Sequence, residues 1–348
     1  MKTNIISILL FALSFTSCKK AVLGPELAQS PEALFDFIWD DYDQHCGILF
    51  PKKVNWDSIY NVYRPQVTVQ TSEHELWNIL VHMLDELDDE HTFIEDNLGD
   101  IVHVSGSKGI DEAIASFSYD LIEEKYLAYS KTNPWSATMQ YGQIAEKSIG
   151  YIHLGDVDGY HSEQTMDTVL AEIGKYQAII FDVRNNGGGS GEFAQLITNP
   201  FAEATRLVMT TQVRSGPAHD AFDPMVELKT ENDGLGQFTK PVVVLTDRFS
   251  VSGAEHITLY LKSNSHVTHI GSTTAGALSA TGNRRFLPNG WEYQYPIEMI
   301  LTAEGESLEG IGVVPDVKIK NTPEDIEAGR DLVLEKAIQF LYEQHGIE

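Results

Sequence analysis

The 348-residue chain has few cations, almost no cysteine, and no long apolar run beyond its first twenty residues. Its 24 lysines and arginines stand against 51 acidic residues, a formal net charge of −27. A surface that acidic repels phosphate backbones and anionic headgroups, so neither nucleic acid nor a bare membrane surface suits it as a partner. The two cysteines are Cys18 and Cys46. If Cys18 is consumed at the N-terminus, no internal disulfide can form, and the fold must rest on its apolar core. Cys46, among apolar residues in QHCGILFP, reads as a buried and inert thiol. No internal repeat and no low-complexity tract is present. HExxH is absent, and the HVTH stretch at 266–269 lies in strand-like surroundings without acidic neighbours, so no metal site is expected. No organic cofactor is implied either.

The chain opens MKTNIISILLFALSFTSCKK. A lysine, a short apolar run and small residues before Cys18 have the proportions of a signal peptide and are too short for a membrane span. Thr16 and Ser17 before Cys18 resemble a bacterial lipobox, with Phe15 departing from the usual aliphatic residue. The expectation is a lipoprotein signal peptide over 1–17, lipidation at Cys18, a tether over 18–29, and attachment to the cell envelope through that lipid alone. Plain secretion is the alternative.

Ser30-Pro31-Glu32 opens a helix, with Ser30 as its cap and Leu34, Phe37, Ile38 and Tyr42 at helical spacing. A second helical face carries Leu76, Ile79, Leu80, Met83 and Leu84. Residues 30–98 therefore read as a helical N-terminal domain. Residues 99–147 read as a short β-rich connecting module with strands at KYLAYSKT and MQYGQIAE. From 148 to 348, apolar strands alternate with helices, and an amphipathic helix closes the chain. That alternation predicts an α/β core with a mainly parallel sheet. RRFLPNGWEYQYPI reads as a hairpin turning at Asn289-Gly290.

Two stretches of the core carry chemistry. In FDVRNNGGGSGEF a buried strand runs into Gly187, Gly188 and Gly189 ahead of a helix. Successive glycines let backbone N–H groups converge on a negative oxygen. No Lys-Ser/Thr follows them and the GxGxxG spacing fails, so neither nucleotide loop fits. In DRFSVSGAEH, after the apolar strand PVVVL, Ser252 and Gly253 stand at a helix start. Ligands of parallel α/β sheets bind at the carboxyl ends of strands, so the two loops can face one cleft. Ser252 is then either a cap or a nucleophile, with Ser250 the second choice because bulky Val251 adjoins it. The Gly253 N–H and one from the glycine run would form an oxyanion hole. A serine nucleophile needs a base, either a desolvated lysine or an oriented histidine. His91 falls where a helical pattern ends. His256 lies one turn below Ser252, poor geometry for a base.

At this level the chain resembles the S41 serine peptidases: the C-terminal processing proteases, the tricorn core and the retinoid-binding repeats. The helical start, with its aromatic-rich course, is similar to the tricorn-like branch. LDELDDEHTF resembles that branch's Leu-x-Asp-Gly-His-Thr segment, FDVRNNGGG its D-L-R-N-N-P-G-G segment, LTDRFSVSGAEH its nucleophile segment, and EGIGVVPDVKI its closing E-G-x-G-V-x-P-D. The resemblance implies a helical N-terminal domain on a ClpP/crotonase-like α/β core, peptide or protein substrates, and a serine mechanism. It places the nucleophile at Ser252, the base at His91, the orienting acid at Glu309, and the oxyanion donors at Gly188, Gly189 and Gly253. Three departures stand out. Ala277 occupies the lysine position of the Ser–Lys branch. Glu90 replaces the serine that can precede the histidine. No clear PDZ pattern lies between 99 and 147. The alternatives are a non-catalytic ligand- or peptide-binding protein on this fold, and an acyl enzyme of crotonase type.

Overall fold

The computed structural model describes residues 28–348 apart from 97–98, 100–101, 160–161, 233–235, 281 and 283. The expected signal peptide and Cys18 lie outside the described residues. Three helices come first: α1 (Pro31–His45), α2 (Trp56–Tyr63) and α3 (Glu73–Asp85). Ser30 Oγ accepts the Ala33 N–H at 3.3 Å, and Pro31 fills the first turn, as its fixed φ suits. Ser72 and Glu75 close a reciprocal capping box on α3. Leu34, Ile38 and Tyr42 are buried as their spacing predicts, but Phe35 joins them and Phe37 stays 37% exposed. The reason is α2, whose Tyr60 ring lies 6.2 Å from that of Phe35 and covers that side of α1.

Short strands β1 (Phe93–Glu95) and β2 (Val102–Val104) follow, then helices α4 (Ile110–Ala115) and α5 (Tyr119–Tyr126). The stretch 99–147 thus carries two helices beside its strands. Its last strands, β3 (Leu127–Asn133) and β4 (Ser136–Ile144), are the antiparallel edge of the core sheet, not a unit of their own.

The core alternates β5 (Ile149–Leu154), α6 (Gln164–Ile173), β6 (Ala178–Asp182), α7 (Gly191–Thr198), β7 (Arg206–Val213), β8 (Val226–Thr230), β9 (Val242–Thr246), α8 (Gly253–Lys262) and β10 (Val267–Gly271). Then come β11 (Arg285–Phe286), β12 (Glu292–Gln294), β13 (Glu298–Thr302), β14 (Val317–Lys318), α9 (Pro323–Glu327) and α10 (Leu332–His345). The main sheet has the order β14-β10-β9-β6-β5-β4-β3 and is parallel from β14 to β5. Its central strands β5, β6 and β9 are buried on both faces, which is why they read as apolar runs. Phe181 and Val244 pack with Val169, Phe193 and Ile257 of α6, α7 and α8. Ile180 and Val243 point the other way, to Ile122 of α5 and Leu334 of α10. β7 leaves this alternation and pairs with β8 and β13 in a separate three-stranded sheet.

The hairpin at Asn289-Gly290 forms, with Gly290 at φ +92°, where a side chain would be strained. It does not pack on the core that precedes it in the chain. β12 pairs with β1, setting Phe93 against Gln294 and Glu95 against Glu292. Tyr293 and Tyr295 donate their hydroxyls to buried Asp41 of α1 at 2.8 and 2.9 Å. A hairpin from the C-terminal half therefore completes the core of the N-terminal helices, and it holds β1, which begins two residues after His91. No helix among the described residues is long and apolar enough to cross a membrane.

Candidate active site

The glycine loop leaves β6 over a buried ionic base. Arg184 is buried, with Nη2 2.6 Å from Asp182 and Nη1 2.8 Å from Asp331, which also caps α10. Asn186 then stitches the turn. Its Nδ2 donates to the Leu154 carbonyl at 2.7 Å, and its Oδ1 accepts the Gly188 N–H at 2.8 Å. Gly188 and Gly189 have φ of +95° and +137°, and a Cβ on Gly188 would stand 2.7 Å from Ser252 Cβ. Only glycine lets the two loops approach so closely.

The second loop leaves β9 and is fixed at each step. Asp247 accepts the N–H groups of Asn185 and Phe249, both at 2.9 Å. Ser250 is fully buried, and its Oγ donates to the Val183 carbonyl at 2.7 Å, so this second serine is a structural tie between the loops. Val251 N–H donates to the Asn186 carbonyl at 3.0 Å. Ser252 follows at φ 55° and ψ −114°, a conformation that costs a non-glycine residue about 1–3 kcal/mol. It is half-buried at the first turn of α8. Gly189 N lies 3.1 Å from the Cβ position of Gly253, and neither N–H meets an acceptor among the described residues. Of the three glycines expected as donors, Gly188 has its N–H occupied by Asn186; Gly189 and Gly253 do not.

Glu255, three residues into the same turn, is buried and was not singled out by sequence. It accepts the Ser252 N–H at 3.1 Å, the Ala277 N–H at 2.9 Å, the Gly276 N–H at 2.8 Å and the Thr274 hydroxyl at 2.7 Å. This acid fixes the backbone of Ser252 against the loop after β10. Ala277 is buried there.

His91 reaches this region from the segment between α3 and β1. Asp89 Oδ1 accepts the His91 N–H at 3.0 Å and the Thr92 hydroxyl at 3.1 Å, which makes a tight turn ahead of β1. Burial lowers the His91 pKa, against the opposing pull of the Asp89 carboxylate. Its Nδ1 is enclosed and has no hydrogen-bond partner among the described residues. Glu309 is buried as well. Its Oε1 accepts the Ser279 N–H at 2.8 Å and hydroxyl at 2.5 Å, while Oε2 is enclosed without a partner. Burial, then the charge of Asp89, push the Glu309 carboxyl up to about 8. The structure thus brings Glu309 into the field of Asp89 without joining it to His91 by a hydrogen bond. His256 Nε2 is 3.0 Å from the Leu278 carbonyl, and burial brings its pKa down to about 4, with a smaller contribution from His91. Glu255 and Ser279 escaped sequence reading because each acts through a tertiary contact, and Asp89 because only the fold brings Glu309 into its field.

Other sequence candidates are placed elsewhere. Cys46 is buried, and burial pushes its thiol up to about 12, so no thiolate exists at neutral pH. His269 meets Thr246 Oγ1 at 2.6 Å and His266 meets Glu203 at 3.1 Å. Among the described residues no group of three or more His, Cys, Asp or Glu is placed to hold a metal ion.

Fold and site define a class: a helix-starting serine beside a glycine loop, both at the carboxyl ends of parallel strands. The sequence pattern of Peptidase family S41 matches residues 148–319. The chain is 27% identical over 180 residues to the carboxy-terminal processing protease CtpA of Bacillus subtilis, covering 51% of this chain and 36% of that protein. It is 27% identical over 194 residues to the tricorn protease of Thermoplasma volcanium, covering 56% of this chain and 17% of that one. The crystal structure of a candidate peptidase from Parabacteroides merdae superposes with a TM-score of 0.79 at 28% identity, over 90% of this chain and 97% of that chain. Over residues 148–319 the chain belongs to peptidase family S41. It spans little more than a third of the Bacillus relative and about a sixth of the Thermoplasma one.

Proposed function

We propose that the protein is a serine peptidase that cleaves peptide or protein substrates, with Ser252 as nucleophile and His91 as its base. The observation that carries this reading is the strained turn at Ser252, with the unoccupied N–H groups of Gly189 and Gly253 beside it. A serine held in so costly a conformation has a use for it. Burial keeps His91 neutral, so it can accept the Ser252 proton as Oγ attacks the scissile carbonyl. The carbonyl oxygen, now negative, would take the two N–H groups; one such donor contributes on the order of 3 kcal/mol in the transition state. Collapse returns the proton from His91 to the leaving amine, and water repeats the sequence on the acyl-enzyme. The charge of Asp89 raises the Glu309 carboxyl, because like charges in one buried region repel. The same Asp89 charge favours the imidazolium that forms on His91.

The protein is further proposed to be exported and held on the cell envelope by a lipid on Cys18, on the strength of its N-terminal pattern. The non-catalytic binding reading draws support from one observation, the missing hydrogen bond between His91 and Glu309.

Mass spectrometry after exposure to a fluorophosphonate separates the two. A single adduct on Ser252, lost in Ser252→Ala and strongly slowed in His91→Ala, is expected. A folded protein that takes no adduct would be a binding protein, not a peptidase.

A further inference from the structure

Glu90 stands in place of the branch's serine. Its carboxylate is 7% exposed and forms an ion pair with Arg248. Arg248 belongs to the loop that ends in Ser252, four positions before it. The same guanidinium donates through Nη2 to the Gly106 carbonyl at 3.0 Å. Gly106 lies directly against the histidine segment: its N–H donates to the Asp89 carbonyl at 3.1 Å, and a Cβ there would be 2.7 Å from Glu90 N. Arg248 therefore grips the segments just before β1 and just after β2, the first of which carries His91.

Both ends of this contact are rigid. On the core side, Asp247 and Ser250 fix the loop by hydrogen bonds to Asn185 and Val183. On the histidine side, Lys52 Nζ donates to the carbonyls of Leu87 and Asp88 at 2.6 and 2.9 Å, and Asp89 holds the His91 N–H. A displacement at the Glu90–Arg248 contact thus passes to His91 on one side and to Ser252 on the other.

We infer that Glu90 and Arg248 are a positioning pair, which sets the placement of His91 over the Ser252 loop. Neither touches the reacting atoms. The inference rests on the reading of Ser252 and His91 as partners. It goes beyond that reading by giving a role to the residue that departs from the family pattern.

The test is a double-mutant cycle with Glu90→Gln and Arg248→Met, each compared with the parent in two readouts. The first is the rate of fluorophosphonate labelling at Ser252. A misplacement of about 1 Å can cost on the order of 100-fold, so each single variant should label 10- to 100-fold more slowly. The double variant should be no slower than the worse single one, because the two side chains act as one unit. Arg248 is 28% exposed, so after Glu90→Gln its charge can reach water and the urea midpoint should stay near that of the parent. The second readout is the NMR titration of the His91 ring, which should move up towards the ordinary histidine range in each variant as the ring loses its enclosure. Parental labelling rates together with an unmoved His91 titration would overturn the inference, as would additive losses in the double variant. If the parent itself does not label, the peptidase reading fails, and the His91 titration alone decides whether the pair positions the ring.

Discussion

Replacing Gly188 by alanine should strike fold and site at once, and the two costs can be separated. At φ +95° an alanine pays for a left-handed backbone, about 1–2 kcal/mol. The added methyl would also lie 2.7 Å from Ser252 Cβ and 2.7 Å from the Val251 carbonyl oxygen. The second neighbour is backbone, fixed by the Asn186 contact, and cannot step aside. Overpacking of this kind typically costs about 1–3 kcal/mol more. Gly305 supplies the control: its φ is +82° and nothing lies within 4 Å of its Cβ position. Gly305→Ala should show the backbone cost alone. Urea unfolding of both variants gives the contact cost by difference, roughly 1–3 kcal/mol against Gly188→Ala. Fluorophosphonate labelling gives the functional cost, since Ser252 must shift by roughly half an ångström, enough to slow it about tenfold or more. Equal losses in the two variants, with Gly188→Ala labelling at the parental rate, would refute the packing of the glycine loop on Ser252.

Two further outcomes follow from groups described above. Glu309 has an ordinary carboxyl value of 4.5 when unfolded and about 8 when folded. The folded state therefore binds its proton more tightly. The stability this gives is complete below about pH 4.5 and is lost as the pH rises towards 8. Glu309→Gln cannot ionise, so its unfolding free energy should fall less between pH 5 and pH 8, by a few kcal/mol. Glu90 and Asp247, each raised to about 7, keep part of the slope in the variant. Parallel profiles for parent and variant would show that Glu309 is not buried as a protonated acid. At the N-terminus, the full chain expressed in bacterial cells should fractionate with membranes, and Cys18→Ala should not. A parent that stays in the soluble fraction would end the lipid-anchor proposal.

The elements that sequence made legible are those whose cause is local. The central strands β5, β6 and β9 read as apolar runs because both faces are buried, and α1 and α3 announce themselves through Ser30-Pro31 and the Ser72/Glu75 box. Gly188 and Ser252 were visible because a glycine run or a serine before glycine at a strand–helix junction restricts what the backbone can do. What stayed hidden depends on partners far along the chain. β1 is three residues long and lies between β2 and β12, the second of which comes from far along the chain. Phe35 and Phe37 flank one helical stripe almost equally, and the position of α2 decides between them. Glu255, Ser279 and Arg248 look like ordinary polar residues until the loops they join are brought together. The role of Glu90 was obscured for the same reason, since its partner stands 158 positions later.

The hairpin that completes the core of the N-terminal helices has a consequence in time. Tyr293 binds Asp41 across 252 residues of sequence. At a synthesis rate of about 5–20 residues per second, roughly 10–50 s separate the two on the ribosome. During that interval α1 lacks its tyrosine partners and β1 lacks β12, and until Arg248 is made the segment bearing His91 has nothing to hold it against the core. The nucleophile loop is also synthesised before the hairpin that orders the histidine. The histidine segment of a nascent chain thus becomes ordered only after most of the polypeptide has been made, so a partly made copy would be a poor peptidase towards its neighbours.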